Sequence, residues 1–425
     1  MAFWLIETED QLAELKLKNY QDIFLEPIYL NDKYHSTLND ICALYIKPVD
    51  HKKGYIINIS HTDGLSLQKT AVKAILNEFK TIYVRDKKAL LYHLSLKNSI
   101  DISLFCFEYS EPTTGAHTYY YNKFPTKLDI NYLIPIVKHY EKLENLFEIV
   151  QPSLQYEVNE FFNNKATLAF LSIEKNGIRI KQDKFEKFFE PQHEEYSVCN
   201  NTIYTRYNLY TTTRRPSNTF NSINFAALNK DNKCRESFIP QNDKFVEIDI
   251  SAYHPTLASK LVKYDFDNLT PYQWFSEVSG LSIEEAKLLM FRQLYGGVYD
   301  DYKHLDFFVK IQEFVNKMWT QFNTEGYIEC PISKYKFKKE CLKDMNPQKL
   351  FNYLLQCLET SNNVNLIWEM IKLLKGKNTK LVLYTYDSFT FDVDDDEEIL
   401  TEIKNIFKKH NLKIKTKTNR TLHFG

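Results

Sequence analysis

Glycine is scarce in this chain, ten in 425 residues, so the one Gly-Gly pair, Gly296-Gly297, marks a place where the backbone needs freedom or close approach. No run comes near the ~20 consecutive apolar residues of a membrane span. The start, Met1-Ala2-Phe3-Trp4-Leu5-Ile6-Glu7, has neither a basic segment nor a long apolar core, so no leader is expected there. None of the seven cysteines (Cys42, Cys106, Cys199, Cys234, Cys330, Cys341 and Cys357) forms a C-x-x-C pair, which leaves reduced structural thiols in a cytoplasmic protein as the expectation. Neither charge is in excess: 54 Lys and Arg stand against 55 Asp and Glu, so no global field recruits nucleic acid and any such contact must come from local patches. Internal repeats and low-complexity tracts are absent as well.

What is present starts with size. At 425 residues and 44% hydrophobic, the chain can fill the cores of two or three domains. Two acidic residues, Asp249 in Val246-Glu247-Ile248-Asp249-Ile250 and Asp387 in Leu383-Tyr384-Thr385-Tyr386-Asp387, each end a β-type apolar stretch. Either one alone would mean little, because Asp at a strand end is commonly a turn or cap residue. Together they can share a pair of Mg²⁺ ions, about 4 Å apart, one activating an attacking oxygen and the other stabilising a leaving one.

Between them lies a helix with a lysine. Ser282-Ile283-Glu284-Glu285 reads as a capping box, and strong helix formers run from there to the Gly296-Gly297 stop. Lys287, Phe291 and Tyr295 recur at i, i+4 and i+8, placing a cation, a flat ring and a phenol on one side, a face able to hold a triphosphate and stack on a base. The same spacing equally fits an amphipathic core helix whose lysine is solvated. Two basic stretches are candidate nucleic-acid contacts: Lys334-Tyr335-Lys336-Phe337-Lys338-Lys339, and Lys408-Lys409 through Lys413, Lys415, Lys417 and Arg420. The first interleaves rings and cations as a phosphate-tracking groove does, though an amphipathic strand has the same alternation.

At this point the residues resemble a family. Lys287-x-x-x-Phe291-x-x-x-Tyr295-Gly296 is similar to the fingers motif K-x-x-x-F-x-x-x-Y-G of family A DNA polymerases, those akin to bacterial DNA polymerase I and its bacteriophage relatives. Asp249-Ile250-Ser251 resembles that family's D-Y-S motif, and Tyr386-Asp387-Ser388 its H-D-E motif. Tyr204-Thr205-Arg206-Tyr207-Asn208 with Thr213-Arg214-Arg215-Pro216-Ser217-Asn218 resembles the element that reads the primer-template minor groove, and Asn352-Tyr353-Leu354-Leu355-Gln356 the N-x-x-x-Q helix. All five stand in the family's order.

The resemblance implies an α+β fold: a right-hand polymerase palm and fingers over 203–425, a helical connector and reduced thumb over 131–202, and a ribonuclease-H-like α/β exonuclease-type domain over 1–130. It implies template-directed DNA synthesis by metal-assisted phosphoryl transfer on primer-template DNA and dNTPs, with Asp249, Asp387 and the Ile250 carbonyl as ligands of two Mg²⁺. Lys287 would neutralise the pyrophosphate, Phe291 and Tyr295 would pack the sugar and nascent pair, Tyr253 and His254 would meet the sugar, and Arg215, Asn218 and Gln356 would check the minor groove. A short thumb implies weak processivity or a partner protein.

The sequence also departs from the pattern. His254 stands where the family has a sugar-gate glutamate, five residues after the first aspartate; Tyr386 and Ser388 replace the H and E of H-D-E; Ile283 replaces an arginine that contacts phosphate, with Arg235 or Arg292 as substitutes. Single-subunit RNA polymerases end their third motif in Asp-Ser, which keeps RNA or primer synthesis as the alternative. In the first domain, the exonuclease D-x-E would fall near Phe24-Leu25-Glu26-Pro27-Ile28, and N-x-x-x-D on Arg85-Asp86-Lys87-Lys88-Ala89, so only Asp101 survives and an inactive scaffold is expected. Lead-in to the palm is read in Glu174-Lys175-Asn176-Gly177-Ile178-Arg179-Ile180, with little more than twenty residues from there to Tyr204.

Overall fold

A computed structural model describes residues 3–17, 20–29, 35–61, 64–104, 147–148, 151, 154, 157–189, 198–218 and 223–424. Of the helical connector and reduced thumb expected over 131–202, residues 131–146, 149–150, 152–153, 155–156 and 190–197 lie outside the described residues, as does Cys106. The chain forms two compact units: Met1–Leu171 with Gln192–Arg206 and Thr219–Ile223, and Ser172–Pro191 with Tyr207–Asn218 and Asn224–Gly425.

The first unit is built on six strands. In chain order they come with their helices as β1 (Phe3–Ile6), α1 (Glu9–Leu17), β2 (Asp22–Tyr29), β3 (Ile41–Pro48), β4 (Gly54–Asn58), α2 (Lys69–Leu76), β5 (Thr81–Val84), α3 (Lys87–Leu91) and β6 (Ser99–Asp101). Spatial order is β1-β4-β3-β2-β5-β6, with β3 antiparallel to both neighbours and every other pairing parallel. All eight residues of β3 are buried, so the strand reads as a near-continuous apolar run, as a strand covered on both faces must. Gly54 is required by contact: a Cβ there would meet the Tyr45 ring at 2.5 Å. Ile23, Leu25, Ile46, Ile57, Val72, Leu76 and Ile82 fill the core, each burial stabilising the unit by roughly 1.5–3 kcal/mol.

Helix α4 (Thr167–Glu174) carries the chain across the unit boundary to β7 (Ile178–Ile180) and α5 (Gln182–Phe189). The turn before β7 depends on Gly177, whose φ of 63° is easy only for glycine. After a short hairpin of the first unit, β8 (Val198–Cys199) and β9 (Thr202–Ile203), the second unit resumes. Strand β10 (Phe238–Ile239) pairs antiparallel with β7. Then follow β11 (Lys244–Ile250), α6 (Tyr253–Val262), α7 (Pro271–Ser279), α8 (Ile283–Gly296), α9 (Asp306–Thr324), β12 (Tyr327–Glu329), β13 (Lys336–Lys338), α10 (Pro347–Leu373), β14 (Lys380–Thr385), β15 (Ser388–Val393), α11 (Glu397–Lys409) and β16 (Ile414–Asn419). An antiparallel sheet in the order β14-β15-β11-β16 forms the floor of this unit.

Helix α10 organises the rest, packing against α6, α8, α9 and α11. It starts cleanly because the Asn346 side chain accepts from the Lys349 N–H at 2.8 Å and Pro347 occupies the first turn. The capping box read at α8 is present: Ser282 Oγ accepts from the Glu285 N–H at 3.3 Å and Glu285 Oε2 from the Ser282 N–H at 3.0 Å. The helix ends at Gly297, with φ of 98°. A second capping box, Thr270 with Gln273, starts α7. In the 334–339 stretch, Tyr335 and Phe337 are buried, with rings 5.0 Å apart. Its rings therefore belong to the core, while Lys334 lies 3.3 Å from Glu329, Lys336 lies 5.4 Å over the Tyr327 ring and Lys339 donates to Asn323 at 2.8 Å.

Candidate active site

Pairing of β11 with β15 sets Asp249 opposite Ser388, and Asp387 is the last residue of the two-residue turn that joins β14 to β15. The Ile250 N–H donates to the Asp387 carbonyl at 2.9 Å, tying the turn to the end of β11. From α10, Asn363 donates to the Tyr386 carbonyl at 2.8 Å and to the Tyr384 hydroxyl at 2.9 Å. Tyr386 (φ 62°) and Ala252 (φ 48°) are left-handed residues beside the two aspartates, a backbone cost on the order of 1–3 kcal/mol each that the surrounding bonds must hold in place.

The aspartates repel one another. The Asp387 carboxyl is pushed up to about 6, first by lost hydration although the residue keeps solvent access, then by the charges of Asp249 and Glu359. Burial also raises Asp249, against the opposing pull of Lys415, Lys287, Lys417 and Lys230. Register explains two of these: Lys415 lies opposite Asp249 and Lys417 opposite Glu247 across β11 and β16. Two carboxylates whose pKa burial raises, with the Ile250 carbonyl as an additional oxygen donor, suit a hard divalent cation. Among the described residues no three acidic, histidine or cysteine side chains form a ready metal cage.

Helix α8 buries Ala286, Met290, Gln293 and Leu294, and leaves Lys287 exposed and Phe291 and Tyr295 half-buried on the other side. The Phe291 and Tyr295 rings stack at 5.7 Å with 28° between planes, and Tyr272 of α7 adds a third ring 6.1 Å from Phe291. Tyr272 stays a phenol: burial, then Asp387 and Asp249, hold its pKa up.

His254 joins these elements. Its Nδ1 is hydrogen-bonded to the Tyr295 hydroxyl, and its Nε2 lies 2.6 Å from Glu359 Oε2. Glu359 also holds Arg215, whose Nε is 3.2 Å from Oε2 and whose guanidinium lies 3.8 Å over the Tyr386 ring. Tyr253 points into the core, donating to Asn363 Oδ1 at 2.5 Å and accepting from Asn362 at 2.7 Å. Gln356 accepts from the Thr213 hydroxyl at 2.9 Å, which brings two of the resemblance's elements together. Asn218 is buried, and its amide nitrogen has no hydrogen-bond partner among the described residues. Glu174 accepts from the Tyr207 N–H at 2.5 Å, and the Tyr207 hydroxyl donates to the Tyr384 carbonyl at 3.1 Å, so the lead-in glutamate fixes this segment on the sheet. Of the two substitutes for the missing arginine, Arg235 is engaged with the Leu228 carbonyl at 2.8 Å, while Arg292 is exposed. Ile283 is exposed at the first turn of α8.

Glu359, Asn362 and Asn363 belong to none of the motifs in the sequence. Their signal is Glu359-Thr360-Ser361-Asn362-Asn363, five polar residues in the middle of a long, otherwise largely apolar helix, every one of them buried. A run of that kind stays buried only if it has polar partners. Tyr253, His254, Arg215, Tyr384 and the Tyr386 carbonyl supply them to Glu359, Asn362 and Asn363.

In the first unit, the positions aligned with exonuclease motifs hold ion pairs. Glu26 is paired with Arg85, and Asp86 with Arg206. Asp86 also accepts from the Ala89 N–H at 2.9 Å as the cap of α3. The surviving Asp101 is buried, accepting from the Lys87 and Ser103 N–H groups at 3.0 and 2.9 Å.

No protein-family model matches the chain, and no curated protein is similar to it in sequence. Among solved structures, the chain is similar to the polymerase domain of Pol1 from M. smegmatis, described as a complex with DNA primer-template and dNTP, with a TM-score of 0.66 over 99% of each chain at 11% identity. The fold is that of a polymerase domain. Among the described residues, no helix is long and apolar enough to cross a membrane.

Proposed function

We propose that the chain is a template-directed DNA polymerase that adds dNTPs to a primer 3'-end. The observation that carries this reading is the meeting of Asp249 and Asp387 at the paired ends of β11 and β15, both with raised pKa and with the charge of Asp249 among the causes at Asp387, within electrostatic reach of Lys287. Two bound Mg²⁺ would activate the primer hydroxyl and stabilise the leaving pyrophosphate. Asp249, Asp387 and the Ile250 carbonyl would hold the ions. Lys287 would orient and neutralise the triphosphate, and the Phe291–Tyr295 stack would present a flat wall to the incoming base and sugar. Arg215, Asn218 and Gln356 would contact the minor groove of the primer terminus, whose acceptors are nearly independent of sequence; the unpaired Asn218 amide is a donor free for that purpose. Geometry and charge of this kind account for most of phosphoryl-transfer catalysis.

The first unit we read as a ribonuclease-H-like exonuclease fold without exonuclease activity. Its support is the strand order, a central β2 with the reversed β3 and then β4 on one side and parallel β5 and β6 on the other, together with the pairing of Glu26 with Arg85. A guanidinium on that carboxylate leaves no room for a metal pair.

Primer extension on a defined template, run with dNTPs and then with rNTPs, tests the reading. Incorporation of dNTPs that requires Mg²⁺ is expected. A preference for rNTPs would favour RNA synthesis, the alternative to which His254 and Asp387-Ser388 lean; no incorporation of either would overturn both.

A further inference from the structure

We propose that Glu359 is a positioning residue for sugar selection, acting through His254 on Tyr295. The inference deepens the polymerase reading and rests on it. Glu359 sits in the middle of α10 and is 1% exposed, a location where a carboxylate is costly unless cations or donors surround it. It has two such partners, and both come from segments of the candidate site: His254 at 2.6 Å and Arg215 at 3.2 Å.

The bond to Glu359 decides what His254 can do. A carboxylate accepts only, so Nε2 of the imidazole must carry the proton that Glu359 receives. Nδ1 of a neutral ring then accepts from the Tyr295 hydroxyl, and Nδ1 of a protonated ring donates to it. The phenol keeps its proton, since burial and Glu359 hold its pKa well above the ordinary value. In either case the chain Glu359–His254–Tyr295 is continuous, and it locks the rotation of the Tyr295 ring. Tyr295 in turn stacks on Phe291, so the wall met by the nucleotide's sugar is held from α10 through the imidazole. A carboxylate at 254 could reach the phenol directly; here that carboxylate is displaced onto the neighbouring helix and the imidazole spans the gap. Arg215 shares the same carboxylate, which links the proposed minor-groove contact to the sugar wall through one buried charge.

Glu359→Gln preserves size and removes the charge that sets the histidine's donor. With the full chain, single-nucleotide extension should show the ratio of kcat/KM for dNTP over the matching rNTP falling about tenfold, of the order that a relaxed steric pocket gives up. His254→Glu combined with Glu359→Gln restores a carboxylate bonded directly to Tyr295, and the ratio should return toward the wild-type value. If Glu359→Gln fails to fold, Glu359→Asp, which keeps the charge and withdraws it from His254, takes its place with the same expected fall. Equal losses for dNTP and rNTP with the ratio unchanged would mean that Glu359 is merely structural and would overturn the inference alone. A wild-type chain that extends no primer would overturn the polymerase reading and the inference with it.

Discussion

Asp249 lies directly across the β11–β15 ladder from Ser388, the residue that follows Asp387. Neither aspartate can be shifted without changing strand register, which makes the pair a fixed feature of the sheet. Asp249→Asn or Asp387→Asn should each reduce primer extension by at least roughly 10³-fold, on the order of 4 kcal/mol, since one carboxylate cannot hold both ions. Primer-template binding in a gel-shift assay should persist. A variant retaining more than about a tenth of the wild-type rate contradicts the assignment.

Acid should switch the reaction off through Asp387. Its carboxyl is pushed up to about 6, so the protonated form dominates below that pH, and a protonated carboxyl does not bind metal. Apparent Mg²⁺ affinity should fall as pH drops through about 6, and raising Mg²⁺ should move the acid limb of the rate profile to lower pH. A limb that ignores the metal concentration would place the controlling group elsewhere.

Stability of the first unit should depend on His35. Burial, then the charge of Arg206, lower its pKa to about 3, while its Nε2 is 3.0 Å from the Thr205 carbonyl. Between about 6.5 and about 3 the unfolded chain binds a proton that the folded chain does not, so this stability is present above 6.5 and lost as pH falls toward 3. Denaturant melts at pH 7 and pH 4 should show the wild type losing about 3 kcal/mol at most that a His35→Gln chain does not lose.

The chain should not shorten single-stranded DNA in Mg²⁺ without nucleotides, and Arg85→Ala should not create that activity. Instead, Arg85→Ala should destabilise the fold by about 3–5 kcal/mol by leaving Glu26 as a buried unpaired carboxylate, and Glu26→Ala in addition should recover much of the loss. Thermal melts of the three variants check this. Shortening of the strand that survives Asp249→Asn would contradict it.

Tyr253 and His254 should separate, although both were expected at the sugar. Tyr253 is clamped between Asn362 and Asn363, so Tyr253→Ala should chiefly cost about 3–5 kcal/mol of stability. His254→Ala should raise rNTP use relative to dNTP use, because it frees Tyr295. Extension ratios and melting curves on the same two preparations distinguish these outcomes.

Local signals made much of this legible. The Ser282–Glu285 box, the Gly297 stop, the one-sided Lys287, Phe291 and Tyr295, and the strands at 54–58 and 81–84 are properties of short windows, and they stand in the fold as the sequence implies. Register is not local. Nothing within β11 says that Asp249 will face Lys415 on one side and Ser388 on the other. Glu359 was invisible for a related reason: in the sequence it is one more glutamate on a helix, and only the packing of α10 on α6 turns it toward His254. The rings of 334–339 were ambiguous between strand and groove because alternation alone does not say which face is covered.

Arg85 is a cation that belongs to the chain itself. No chelator can strip it from Glu26, and no change of buffer can exchange it for calcium or manganese. A melting temperature followed through a magnesium titration should therefore carry no background from Glu26, so that the binding it records reports on Asp249 and Asp387.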